Sequence, residues 1–476
     1  MKDRAKGFMP QEYSTLVEKC PTSIRGFDDI SGGGLPRGRT TLIYGGPGSG
    51  KTIFGLEFLV RGARHYNEPA IMICFGENEA EFYQNYSSFN WDLAQLQIED
   101  KIHVSYLFID RDDITKSNTY DLGGFFVLVK NAVERLGAKR LLIDSIDPLL
   151  TGVLDNPGVR PELYRFFGHL KGLGVTSVFT SERHERVGNM DDVEQYLSDC
   201  VILLSRKMNE QTSTRRLRIL KYRGSCHATN EHLFFIDRDG FNVFAVKSLC
   251  HELPTDHISS GIEMLDNMLD GRGFYRASSI LITGSSGTGK TSFAASFVDS
   301  ACQRGNRCLF LSFNELHCQI ARDMHSIGMD LEGHVKSGLL KFYTSRPSLD
   351  GPEMTLTVIC NTIESFKPAV VVLDSISFFT SRTTSNDVSS LFVSLIDYIR
   401  EYNITTLCTD HAPDDENCGQ TDSGISALMD IWIVLRDLQP DGEVKRTLRI
   451  VKSRGMNHAR QPVEFTIGNQ GIQLDD

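Results

Sequence analysis

The stretch Gly45-Gly-Pro-Gly-Ser-Gly-Lys51-Thr52 decides how this chain folds. It fits the pattern G-x-x-x-x-G-K-[ST], follows the apolar run Thr41–Tyr44 and precedes Ile53 to Gly62, a segment with helical spacing. A strand, a glycine-rich loop and a helix in that order make a phosphate cradle. The glycines let the loop fold back so that backbone N–H groups converge on phosphate oxygens, and the positive end of the helix adds to the field. Gly48, Ser49, Gly50, Lys51 and Thr52 are therefore candidate nucleotide ligands. Lys51 is placed to reach the β- and γ-phosphates and Thr52 to ligate Mg2+.

The same reading recurs further along the chain. Gly284-Ser-Ser-Gly-Thr-Gly-Lys290-Thr291 repeats the loop 239 residues later, behind the strand candidate Ile280–Thr283. Gly287, Thr288, Gly289, Lys290 and Thr291 take the corresponding roles. Leu142-Ile-Asp144-Ser-Ile recurs as Val372-Leu-Asp374-Ser-Ile, and Leu217-Arg-Ile-Leu-Lys221-Tyr-Arg223-Gly224 as Leu448-Arg-Ile-Val-Lys452-Ser-Arg454-Gly455. Three motifs in one order mean a duplication, which sets the domain count before any local reading does. The expected division is 1–246 and 257–476, with 247–256 as a short linker containing Pro254.

Each copy alternates short apolar runs with longer mixed ones. In the first, Thr41–Tyr44, Ala70–Phe75, Leu141–Ile143, Val175–Thr180, Val201–Leu204 and Leu217–Leu220 are strand candidates, and Ile53 to Gly62 and Pro161 to Leu173 have helical spacing. Near-continuous apolar strands between helices predict an α/β fold with a mostly parallel central sheet covered on both faces. Asp144 and Asp374 end apolar strands, where a carboxylate can hold Mg2+ beside Thr52 and Thr291. There is no N-K-x-D guanine-reading motif, which favours ATP over a guanine nucleotide.

Two further groups carry chemistry. Hydrolysis or phosphoryl transfer needs a group that orients or deprotonates the nucleophile. Glu77 and Glu315, just after the strand that follows the first helix of each copy, are the candidates. Lys221 and Arg223 share one face of a strand, as do Lys452 and Arg454. Their recurrence suggests that they meet an anion. A basic pair far from its own loop can complete a neighbouring subunit's site, which implies a ring.

Composition narrows the class. The 476 residues carry 50 Lys+Arg against 61 Asp+Glu, a net charge of −11, so no overall field attracts a polyanion and nucleic acid is not an expected partner. With 40% hydrophobic and 23% charged residues the chain is an ordinary globular one. The eleven cysteines are scattered without a C-x-x-C pair, which suits a reducing compartment. No apolar run approaches the roughly 18 residues of a membrane span. A cytoplasmic location is expected.

On these motifs, joined by Trp91-Asp-Leu, Thr180-Ser-Glu-Arg183, the two K-x-R-G runs, Arg346-Pro and Glu353, the chain resembles the KaiC family of double-domain RecA-like ATPases and autokinases from about Ile24 to Ile467. The resemblance implies two tandem RecA-like P-loop domains and a homohexamer of stacked rings with ATP and Mg2+ at subunit interfaces. The first domain would be the ATPase and the second an autokinase. It also implies a signalling partner, with a KaiB-like protein among the candidates.

This sequence departs from the family pattern at three places. The family's paired glutamates, usually Phe-Glu-Glu, have become Gly76-Glu77 and Asn314-Glu315, so both sites should bind ATP and turn it over slowly. Losing a general base typically costs about 10²–10⁴-fold. The adjacent phosphoacceptor pair falls at Ser426-Ala427, which leaves Ser426 as a single candidate acceptor. After the last strand candidate, Val463–Ile467, nine residues remain, so the family's regulatory tail is not expected. The alternative reading is an ATP-gated scaffold with vestigial hydrolysis. A RecA-like DNA-dependent ATPase ranks third, because no loop clusters Lys/Arg with aromatics as single strands need.

Overall fold

The computed structural model describes residues 16–107, 122–150, 159–182, 198–209, 212–244, 254–345, 347–377, 386–411, 425–438 and 445–475. The chain divides into two compact units, Met1–Ala245 and Val246–Asp476. Most of the stretch read as a linker, 247–253, lies outside the described residues.

Unit 1 is built on nine strands: β1 (Thr40–Gly45), β2 (Ala70–Phe75), β3 (Ile102–Leu107), β4 (Arg140–Asp144), β5 (Thr176–Glu182), β6 (Cys200–Asn209), β7 (Thr212–Tyr222), β8 (His232–Asp237) and β9 (Gly240–Val243). They lie side by side in the order β3-β2-β4-β5-β1-β6-β7-β8-β9. The first six in this row pair in parallel and the last three antiparallel. Unit 2 repeats the plan with β10 (Ser279–Gly284), β11 (Cys308–Ser312), β12 (Leu340–Thr344), β13 (Val370–Asp374), β14 (Thr405–His411), β15 (Ile431–Leu438), β16 (Lys445–Ser453), β17 (Val463–Gly468) and β18 (Gly471–Leu474). Its order, β12-β11-β13-β14-β10-β15-β16-β17-β18, is the same row strand for strand. Both units are therefore mostly parallel α/β layers of RecA-like type. The six strands expected from apolar runs are all present. The alternating strand β3 and the hairpin β8–β9 are additions that the apolar runs did not mark.

The helix after each phosphate loop lies against its sheet. Helix α1 (Lys51–His65) buries Phe54, Leu56, Phe58 and Leu59 completely, and α2 (Lys290–Gln303) buries Phe293, Phe297 and Val298. Each buried side chain of this size contributes about 1.5–3 kcal/mol of transfer free energy. Gly55 sets how closely α1 approaches, since a Cβ there would stand 2.5 Å from Leu142 Cδ1. The antiparallel end of the row closes over the same helix. Phe241 of β9 meets Phe54 edge-on at 5.2 Å, and in unit 2 Phe465 of β17 meets Phe293 at 5.2 Å. One buried cation ties the unit 1 layers together. Arg140, fully enclosed, donates from Nε to Glu68 Oε2 at 2.7 Å, from Nη1 to the Phe58 carbonyl at 2.8 Å and from Nη2 to the Pro21 carbonyl at 2.8 Å.

Candidate functional site

Both glycine-rich loops leave the C-terminal ends of parallel strands, where a doubly wound sheet places its ligands. Gly48 and Gly50 adopt φ of 67° and 99°, Gly287 and Gly289 of 89° and 100°, the left-handed region that side chains disfavour. At Gly50 there is also no room, for a Cβ would stand 2.8 Å from Ile236 Cδ1, and at Gly289 one would stand 2.6 Å from Ile467 Cδ1. The lysines curl over their own loops. Lys51 Nζ donates to the Gly45 and Gly46 carbonyls at 2.9 and 3.0 Å, and Lys290 Nζ to Gly284 and Ser285 at 2.8 and 2.6 Å. Burial lowers the pKa of both ammonium groups. Glu182, Asp144 and Asp147 oppose the shift at Lys51, as Asp374 and Asp410 do at Lys290.

Asp144 and Asp374 sit two strands from the loops. Thr291 Oγ1 donates to Asp374 Oδ2 at 2.9 Å, Thr409 donates to the other oxygen, and in unit 1 Thr180 and Thr52 bond to Asp144. Burial raises both carboxyl pKa values, while these hydroxyls and the lysines pull them back. A threonine hydroxyl and a carboxylate already within bonding distance form a hard oxygen donor set. It suits Mg2+, which is usually held by one or two carboxylates plus phosphate and water.

Glu77 and Glu315 stand on the far side of those aspartates. Burial and the facing Asp144 or Asp374 raise their pKa values. Glu77 accepts from Asn85 Nδ2 at 3.2 Å and from the Cys74 thiol. The K-x-R pairs lie at the opposite end of the sheet from their own loops: Lys221 is in register with Val201, near where β6 begins, whereas Gly45 is level with Leu204. Arg223 approaches Asp199 at 3.7 Å and Arg454 approaches Asp430 at 3.8 Å. In unit 2 the pair also pins the segment that holds Ser426. Lys452 Nζ donates to the carbonyls of Ser426, Ala427 and Met429 at 3.0, 3.3 and 2.6 Å, and Arg454 Nη2 to Ala427 at 2.7 Å. Sequence reasoning did not foresee that contact, which joins residues 23 to 27 positions apart.

The family described as "ATPase: KaiC" matches residues 20–248 and again 258–476. This chain belongs to the KaiC ATPase family. Among curated relatives, "Circadian clock protein KaiC2" of Synechocystis sp. is 43% identical over 467 residues, covering 97% of this chain and 82% of the relative. "Circadian clock oscillator protein KaiC" is 35% identical in Parathermosynechococcus lividus and 34% in Synechococcus elongatus, each over 97% of this chain and over 86% and 89% of the relative. The chain is thus an ATP-binding KaiC-like protein. Among the described residues, no helix is long and apolar enough to cross a membrane.

Against that family, two replaced positions have local physical reasons. Gly76 has a φ of +84° and open space around it, a conformation a glutamate would occupy only under strain. Asn314 donates from Nδ2 to Ser375 Oγ at 3.1 Å, beside Asp374. Sequence reasoning missed a third group. Residues at the ends of β5 and β14 stand between loop and aspartate in each unit, and only the family-like run Thr180-Ser-Glu hinted at them.

Proposed function

We propose that this KaiC-family chain is a Mg2+-dependent ATPase that works in the cytoplasm as a homohexameric ring, with ATP in both units. The observation that supports it is the duplicated constellation itself: Lys51, Thr52 and Asp144 recur as Lys290, Thr291 and Asp374 on identical strand orders. Mg2+ held in this site would supply charge neutralisation for the phosphates. The loop N–H groups and the lysine hold the phosphates, while Thr52 and Asp144, or Thr291 and Asp374, would hold the ion. Glu77 and Glu315 orient the nucleophile. Lys221 and Arg223, or Lys452 and Arg454, reach the neighbouring subunit's γ-phosphate from the far end of the sheet. Turnover is slow because Gly76 and Asn314 carry no carboxylate.

In unit 2 the nucleophile is the Ser426 hydroxyl. Its oxygen bonds to the γ-phosphorus, its proton passes to Glu315, and ADP leaves with the electron pair of the broken bond. Intact-mass spectrometry after incubation with Mg-ATP tests this reading. One added phosphate is expected on the wild type and none on Ser426→Ala; an unmodified wild type refutes the kinase half. The second reading, an ATP-gated ring that signals to a KaiB-like or other protein, is favoured by the carboxylate missing at Gly76 and Asn314. Steady-state hydrolysis abolished by Lys51→Ala speaks against it.

A further inference from the structure

The strand that separates each phosphate loop from its aspartate ends beside the loop in a residue able to accept a proton, Glu182 in unit 1 and His411 in unit 2. In unit 1, β5 pairs with β1 on one side and β4 on the other, and Glu182 is in register with Gly45, the first residue of the loop. Adjacent strands lie about 4.8 Å apart, so this backbone position lies beside the loop and closer to it than Glu77, which follows β2 beyond Asp144. Among the charges acting on Lys51, that of Glu182 is the largest, ahead of Asp144 and Asp147. The side chain is exposed, and among the described residues its carboxylate makes no hydrogen bond or ion pair.

Its backbone, in contrast, is held. Asp147 accepts the Glu182 N–H at 3.1 and 3.3 Å, and Ser181 Oγ donates to the same carboxylate at 2.7 Å. Unit 2 reaches the same result with the partners exchanged. There the carboxylate is on β14, as Asp410, and the hydroxyl is on the facing loop, as Ser377, which donates at 2.9 Å. Asp410 accepts the His411 N–H at 2.9 Å, and His411 is in register with Gly284. Two copies that swap acid and hydroxyl between strands, yet both fasten the residue at the strand end, indicate that its position matters rather than either partner.

We infer that Glu182 is a second catalytic carboxylate of unit 1, the proton acceptor for the attacking water, and that His411 occupies this place in unit 2. The inference rests on the proposed ATPase reading. Water oxygen bonds to the γ-phosphorus, a water proton goes to a Glu182 carboxylate oxygen, and the bond to the β,γ-bridging oxygen breaks, its electrons leaving on ADP. Glu77 orients the water from the other side of Asp144. Unit 1 thereby retains a base despite Gly76, and unit 2 carries an imidazole where unit 1 carries a carboxylate.

The test uses the full chain with Lys290→Ala, so that unit 1 turnover is seen alone. Glu182→Gln should lower kcat by about 10²–10⁴-fold with KM for ATP changed only a few-fold, and should flatten the acidic limb of the kcat pH profile. It should also weaken trapping of Mg-ADP-aluminium fluoride while Mg-ADP binding stays unchanged. Glu182→Asp should recover part of the rate. Turnover within about threefold of the parent, with the acidic limb intact, overturns the inference, as does loss of Mg-ADP binding itself. A wild type that binds no ATP analogue overturns the parent reading as well, whereas a wild type that turns over alongside an equally active Glu182→Gln overturns this inference alone.

Discussion

Arg140→Met tests the buried junction beneath the unit 1 site. Arg140 is completely enclosed, and Glu68 keeps only 15% of its side-chain surface exposed. Although burial pushes the Glu68 carboxyl pKa up, its bonds to Arg37 and Arg140 carry it below the usual value. Methionine fills much of the volume but removes three donors, so the Phe58 and Pro21 carbonyls lose their partner. Breaking a buried pair by deleting one side costs about 3–5 kcal/mol. Arg37 remains on Glu68 Oε1 at 2.9 Å, so the carboxylate is not left unpaired and the lower end applies, about 3 kcal/mol. For a unit of this size that is a fall of roughly 6–12 °C in melting temperature.

The two tryptophans of the chain, Trp91 and Trp432, sit one in each unit, so their fluorescence can follow the units separately. Urea and thermal unfolding of the full chain with Trp432→Phe should show the unit 1 transition moving, and the reciprocal Trp91→Phe background should show unit 2 unmoved. In a cycle with Glu68→Gln, the double variant should lose less than the sum of the single ones. A loss under about 1 kcal/mol in the Trp91 signal would refute the claim that this cation joins the layers.

Three further outcomes follow from local geometry. Burial raises the Glu57 carboxyl on α1 from 4.5 to about 7, against Arg61 and the Phe241 N–H. The folded state therefore prefers the protonated form. This group's contribution grows as pH falls from about 7 toward 4.5 and is lost as pH rises through 7, up to about 3 kcal/mol in all. Glu57→Gln should flatten the stability profile across that window, and a profile as steep as wild type counts against it. Gly50→Ala should cost about 1–2 kcal/mol from the left-handed backbone and weaken nucleotide binding in unit 1. Gly46→Ala, with nothing within 4 Å of the added methyl, should stay within about 0.5 kcal/mol by thermal melt and keep its affinity. Mixing Lys51→Ala subunits with Arg223→Ala subunits should restore unit 1 hydrolysis at about a quarter of the sites, because one has the loop and the other the finger. A mixture as inactive as its parts would place Arg223 outside the neighbour's site.

Much of this protein was legible in the residues alone because its decisive signals are local. Gly45 to Thr52 and Gly284 to Thr291 depend on glycine's tolerance of positive φ and on a lysine at a set distance from the last glycine, both properties of consecutive residues. The apolar runs ending in Asp144 and Asp374, and the repeat of all three motifs in one order, established two α/β units without any contact being known. What the tertiary structure decided depends on which strands become neighbours. Only the order β4-β5-β1 places Glu182 beside Gly45, and only the matching β13-β14-β10 does the same for His411. The exchange of Asp147 and Ser181 for Ser377 and Asp410 is invisible along the chain, since each partner belongs to a different segment. Lys452 and Arg454 read as cations awaiting an anion, yet in the fold they grip the carbonyls around Ser426. Hydrogen bonds between segments far apart in sequence follow from sheet order and register, and no run of consecutive residues encodes that order by itself.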